Sequence, residues 1–289
     1  MTAMRNLTCI LFLALCGAIN ALSEEGTQPV DRIALVPHGL LFRPLLANTY
    51  EPRVGLLSQL GKNQLRLDIG NSIDLLQYNV IKDSSSFSTG VDFFTYTLLR
   101  GEKNFHFPVD ASDYFFGINF NYKSSASFGL ISSRIRISHI SAHFDDGHYD
   151  NTKGEWKDLR YPIVYSREFI DAVFACEPSH FSDAMRGYIG ATYLFHVDPI
   201  TVAPFMAYAG IEWRAKAYAS TNFYLGCQTT VMKISEIAFR QNVQFGVKLG
   251  EWSGRGLNLF ASYFSGLSIH GQYFDAEENY FGLGFLIEF

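Results

Sequence analysis

YFGLGFLIEF, residues 280–289, is where the architecture of this chain first becomes readable. Phe281, Leu283, Phe285, Ile287 and Phe289 alternate with Tyr280, Gly282, Gly284 and Glu288. Successive side chains of a strand point to opposite faces, so the segment has one greasy face and one small or polar face. The same alternation recurs upstream. Leu65, Leu67 and Ile69 oppose Arg66 and Asp68; Phe205, Ala207, Ala209, Ile211 and Trp213 oppose Tyr208, Glu212 and Arg214; Val243, Phe245, Val247 and Leu249 oppose Gln244 and Lys248. In YIGATYLFHV, Ile189, Ala191, Tyr193, Phe195 and Val197 oppose Gly190, Thr192 and His196. A soluble sandwich also alternates, but there an exposed apolar closing strand is an aggregation hazard. Each segment is close to the roughly 9–11 residues a tilted strand needs to cross a bilayer.

The two chain ends point the same way. A closing strand that stops on Phe289 resembles the sorting signal by which the outer-membrane assembly machinery recognises barrel proteins. At the other end, MTAMRNLTCILFLALCGAINALSEEG carries Arg5, an apolar run from Leu7 to Leu15 and small residues up to Ala21. That pattern predicts a secretory signal peptide over 1–21. Cys9 and Cys16 fall within it, leaving Cys176 and Cys227 in an oxidising compartment. They are read as small apolar fillers. Beyond the signal no stretch reaches the roughly 18–20 apolar residues of a membrane helix. With 23 basic and 28 acidic residues the chain has no basic footprint for nucleic acid.

Counting alternating segments from Arg53 onward predicts an all-β fold, a transmembrane antiparallel β-barrel of about 12 strands. The expected organisation is a signal peptide at 1–21, a periplasmic lead-in at 22–50 and the barrel at 51–289. One connection, FDDGHYDNTKGEWKDL at 144–159, is long, polar and charged, and is expected at the cell surface.

LFRPLLANTYEPRVG at 41–55, RIRISHISAH at 134–143 and YSREFIDAVFA at 165–175 resemble the bacterial family catalogued as domain of unknown function 1207. His139, Ser141, His143 and Asp146 fit a His-x-Ser-Ser-His-Leu-Gly-Asp-Glu pattern of that family; Ala142, Phe144, Asp145 and Gly147 depart from it. The resemblance implies an outer-membrane barrel and no particular activity.

Arg134 and Arg136 are expected in the lumen, because an Arg facing the bilayer midplane costs a barrel roughly 2–4 kcal/mol. By parity Ile135 and Ile137 face lipid, and His139 and Ser141 emerge on the outer wall. Same-face neighbours on a strand lie roughly 6.5–7 Å apart at Cα, so an imidazole can reach a hydroxyl. This is similar to outer-membrane phospholipase A and lipid A deacylase, which carry His-x-Ser on the outer face of a strand and an orienting polar residue on the next. Here His139 and Ser141 match, and Glu155 and Asp158 are candidates for the third member, with Asp158 preferred. Asp145, Asp146 and Asp150 are candidate ligands for calcium, without EF-hand spacing. His139 and His143 are about 13 Å apart along a strand, too far to share one ion.

Three functions remain open from the sequence: a structural or surface-interaction barrel, a lipid acyl hydrolase, and a small-solute channel. The inward charges fit either a salt-bridge lattice or a pore lining. The expected partners are outer-membrane lipids, lipopolysaccharide and the barrel assembly machinery, and the expected location is the bacterial outer membrane.

Overall fold

A computed structural model describes residues 32–80, 82–181, 184–199 and 201–289. The signal peptide expected at 1–21 lies outside the described residues. In chain order the strands are β1 (Arg32–Leu35), β2 (Val54–Gln59), β3 (Gln64–Val80), β4 (Ser85–Arg100), β5 (Val109–Ala126), β6 (Gly129–Phe144), β7 (Tyr149–Asp150) and β8 (Glu155–Trp156). They continue with β9 (Ser166–Pro178), β10 (Met185–Asp198), β11 (Phe205–Lys216), β12 (Thr221–Lys233), β13 (Ile237–Gly250), β14 (Gly256–Leu267) and β15 (Glu277–Glu288). β7 and β8 form a small hairpin of their own, and β1 lies along one edge of β3. The remaining twelve strands pair antiparallel in sequence order, and β15 pairs with β2 to close the barrel. A closed barrel leaves no free edge in lipid, which is why strands alone can span a membrane.

The alternation read from the sequence is the inside–outside pattern of the wall. Phe281, Leu283, Phe285, Ile287 and Phe289 are exposed on the outer face, as are Ile135 and Ile137, while Arg66, Asp68, Arg134, Arg136, Glu212 and Lys248 are buried inside. Inward glycines have a packing reason. Tyr188 pairs across the sheet with Gly210 and Tyr208 with Gly190, and a Cβ on either glycine would lie 2.2 Å from the opposing ring. β10 departs from the expected alternation: a bulge between Leu194 and His196 puts both Phe195 and His196 on the outer face.

Of the lead-in expected at 22–50, residues 22–31 lie outside the described residues, Arg32–Leu35 form β1, and residues 40–50 are not a segment outside the wall. They run inside the barrel, where Phe42 and Leu45 pack with Val173, Ala175, Tyr188 and Tyr208. Their backbone is satisfied by inward side chains. Arg186 donates to the Arg43 and Pro44 carbonyls at 2.8 Å each, Asn242 donates to the Ala47 carbonyl at 2.8 Å, and Leu46 N–H donates to Glu212 at 2.7 Å. A coil held this way has no ladder and so no period for the sequence to display.

The inward charges form a lattice around this plug. Glu51 takes Arg134 at 2.5 Å and Arg136 at 2.9 Å, and Arg136 also reaches Asp92 at 3.1 Å. Arg53 pairs with Asp68 at 3.1 Å, and Arg186 with Glu212 at 2.6 Å. Buried charges persist where partners repay their desolvation, and the plug supplies partners that the wall lacks.

At the opposite end of the barrel the lumen is aromatic, with Phe94, Tyr96, Phe115, Phe264 and Tyr280 buried. The connection after β14 folds over it. His270 hydrogen bonds Asp113 at 2.8 Å, Gly271 N–H donates to the same carboxylate at 2.7 Å, and Gln272 donates to the Ala142 and Ile163 carbonyls. The lumen is thus occupied from both ends, by residues 40–50 at one and by the connection after β14 at the other.

Candidate functional site

The outer wall carries a polar cluster near the end of the barrel that bears the 145–165 connection. β6 pairs with β9 so that His139 lies opposite Glu168 and Ser141 opposite Ser166; β9 pairs with β10 so that Glu168 lies opposite His196. All lie toward the strand ends on that side of the barrel. Below them the same outer face carries Ile137, Ile170 and Phe174.

His139 Nδ1 is 2.6 Å from Glu168 Oε1, with both side chains about a quarter exposed. An ionised carboxylate can only accept, so Nδ1 carries a proton, and in the neutral imidazole Nε2 is the acceptor. The second carboxylate oxygen takes His196 Nδ1, and Ser166 Oγ donates to Oε1 at 3.2 Å. The ring of Phe116 lies 4.8 Å from the His139 imidazole and walls it on the β5 side. Ser141 sits one outward position along β6 and makes no hydrogen bond to His139. The catalytic hydrogen bonds of unliganded sites are often long and tighten only around substrate.

The structure brings His139 and Ser141 to one outward row, as the parity predicts, and does not bring Asp158 to them. Asp158 is exposed in the 145–165 connection, and its charged neighbours are Asp110 and His148. The carboxylate that hydrogen bonds His139 is Glu168, on the next wall strand of the barrel. The signal for it was present: in SREFIDAVF, Glu168 shares its parity with Ile170, Ala172 and Phe174, and a carboxylate on a lipid-facing row is costly without a purpose. His196 was hidden by the bulge, which no alternation count reveals.

The calcium candidates do not converge. Asp145 accepts from Ser112 Oγ at 2.5 Å, and Asp146 is exposed. Asp150 caps a turn: the backbone N–H groups of Lys153 and Thr152 hold its carboxyl below the usual range. Among the described residues no group of three or more His, Cys, Asp or Glu side chains is placed to hold a metal ion. Cys176 and Cys227 are both unpaired.

A search of curated proteins finds no match to the chain. Among solved structures, the chain is similar to the β-domain of the Bordetella autotransporter BrkA, with a TM-score of 0.38 and 12% identity, covering 81% of this chain and 97% of that one. It is also similar to OmpT, an outer membrane protein of Vibrio cholerae, with a TM-score of 0.32 and 11% identity, covering 82% and 95%. The model of the family described as protein of unknown function (DUF1207) matches residues 28–289, and the chain belongs to that family.

Proposed function

We propose that this protein is a bacterial outer-membrane barrel that hydrolyses acyl esters of membrane lipids on its outer wall. The observation that carries the reading is the hydrogen bond from His139 to Glu168, with Ser141 next along the same outward row. Ser141 Oγ attacks the acyl carbonyl while His139 Nε2 takes its proton, and Glu168 stabilises the imidazolium. The tetrahedral intermediate collapses, the ester C–O bond breaks, and His139 returns the proton to the leaving alkoxide. Water, activated by the same imidazole, then releases the fatty acid and frees Ser141. Substrate reaches this site without leaving the bilayer, because the row lies where the apolar band meets the headgroups.

The test is fatty-acid release, followed by mass spectrometry, from vesicles of phospholipid and of lipopolysaccharide holding the refolded protein. Release by the parent protein that Ser141→Ala abolishes supports the proposal. No release from folded parent protein overturns it and leaves the second reading, a structural or surface-interaction barrel, which the filled and ion-paired lumen favours.

A further inference from the structure

Two inward guanidiniums stand outside the lattice that holds the plug. Arg167 of β9 and Arg240 of β13 are each 6% exposed, and neither has an ion pair among the described residues. Arg240 gives its donors to neutral acceptors: the Leu267 and Ser268 carbonyls at 2.8 and 2.7 Å and the Tyr50 hydroxyl at 3.1 Å. Arg167 has less. Its guanidinium lies over the Tyr165 ring at 4.6 Å, its Nε is buried and donates to nothing, and the rest of its fork makes no hydrogen bond among the described residues. Burying an ion alone is costly enough that proteins neutralise it or pair it, and a guanidinium cannot give up its proton. That leaves a counter-ion.

Both side chains line one cavity of about 50 Å³ in the lumen, with Asn48, Thr49 and Tyr50 of the plug on one side of it. A third lining arginine, Arg136, is already paired with Glu51 and Asp92. The carboxylate in the lining, Asp171, accepts from the Thr192 and Tyr208 hydroxyls and lies opposite Arg136 in the register. It is four residues from Arg167, roughly 13 Å along β9. Toward the cap, Asp113 is engaged by His270 and the Gly271 N–H. Neither carboxylate bonds Arg167 or Arg240. Thr230 accepts from Gln228, and its own hydroxyl proton and that of Thr49 are used by no hydrogen bond among the described residues. Water could satisfy these donors, yet it would leave two like charges uncompensated in one buried space.

We propose that this cavity is a binding site for a small inorganic anion of halide size, held by Arg167 and Arg240 with the hydroxyls of Thr49 and Thr230. Size and position select the ligand. A space of this volume takes a small ion and little else. Every wall residue that lines it is buried on the inner face, so a lipid headgroup has no way in from the bilayer. A guanidinium is also more weakly hydrated than an ammonium and yields its waters to an anion more readily. The anion would tie β9 and β13 to the plug through Thr49, completing with a bound ion the lattice that Glu51 completes elsewhere with a side chain. This role is independent of the outer-wall cluster and of acyl hydrolysis.

Bromide is the probe, because it matches chloride in charge and nearly in size and scatters X-rays anomalously. Crystals of the refolded protein grown with sodium bromide are expected to show an anomalous peak in the lumen beside the Arg167 guanidinium, a measurement that needs no variant. In solution, urea unfolding in detergent is followed as sodium bromide replaces sodium gluconate at constant ionic strength, gluconate being too large for the cavity. The midpoint of the parent protein rises with bromide, and goes on rising with the logarithm of its concentration, as for a ligand of the folded state. Arg167→Met removes that dependence. A parent midpoint indifferent to bromide, a dependence that survives Arg167→Met, or a map without a peak at Arg167 overturns the proposal. So does a peak in the crystal with no shift in solution, which would mark an adventitious ion only.

Discussion

The two faces of β6 put neighbouring residues to opposite uses. Inward, Arg134 and Arg136 are almost wholly buried, tied to Glu51 of the plug and to Asp92 of β4. Outward, Ile135 and Ile137 meet lipid, and the row continues into His139 and Ser141, which face Glu168 and Ser166. The inner face ties both arginines into a network that fixes the plug. The outer face leaves His139 Nε2 and the Ser141 hydroxyl without a hydrogen-bond partner among the described residues. A strand that pairs its charges on one side has a reason to leave two groups free on the other, and the difference suggests stability inside and chemistry outside.

That division is breakable by mutation. The largest effect falls on the outer face: Ser141→Ala is expected to lower acyl hydrolysis to background, and Glu168→Gln by up to roughly 10⁴-fold, the cost of losing the carboxylate that orients the imidazole. Ser141→Ala should leave the unfolding midpoint in urea unchanged, and a large drop in it would show that the cluster is structural.

Inside, the expectation reverses. Glu51→Ala leaves Arg134 and Arg136 without their shared carboxylate and should cost about 3–5 kcal/mol of unfolding free energy, with hydrolysis per folded molecule unaltered. Urea unfolding in detergent, followed by gel migration, measures the first, and the vesicle assay the second. Ile137→Arg places a charge on the lipid row below His139 and should cost about 2–4 kcal/mol. A cost near zero would mean that this part of the wall meets water rather than lipid.

The smallest effect concerns the cap. His148 is buried, stacked on Phe144 at 4.1 Å and 3.1 Å from the Tyr273 hydroxyl, and burial holds its imidazole below the ordinary 6.5. A folded state that binds its proton less readily than the unfolded chain keeps the full contribution above that value and loses it as pH falls through the lower folded one. Emission from Trp156, whose ring lies 6.3 Å from His148, should shift to the red as pH is lowered below 6.5 through the depressed folded value. His148→Phe should abolish that shift.

Much of the outer-wall site was legible in the chain, because parity is a local property. Once Arg134 and Arg136 were placed inside, His139 and Ser141 had to emerge outside. Glu168 was not recognised, although its sequence was in view. Its pairing with His139 depends on the register of β6 against β9 across a connection of more than twenty residues, which the spacing of polar residues in that connection does not reveal. Asp158 is nearer in sequence but projects toward Asp110 and His148.

The sequence by itself determined a transmembrane barrel, the face on which every regular strand residue lies, and the closing strand at Phe289, because a two-residue period and the cost of charge in lipid leave little choice. Tertiary structure alone decided that residues 40–53 fill the lumen, that a bulge turns His196 outward, and that Glu168 is the carboxylate beside His139. Those are matters of register and of backbone groups satisfied by distant side chains. Neither leaves a period along the chain.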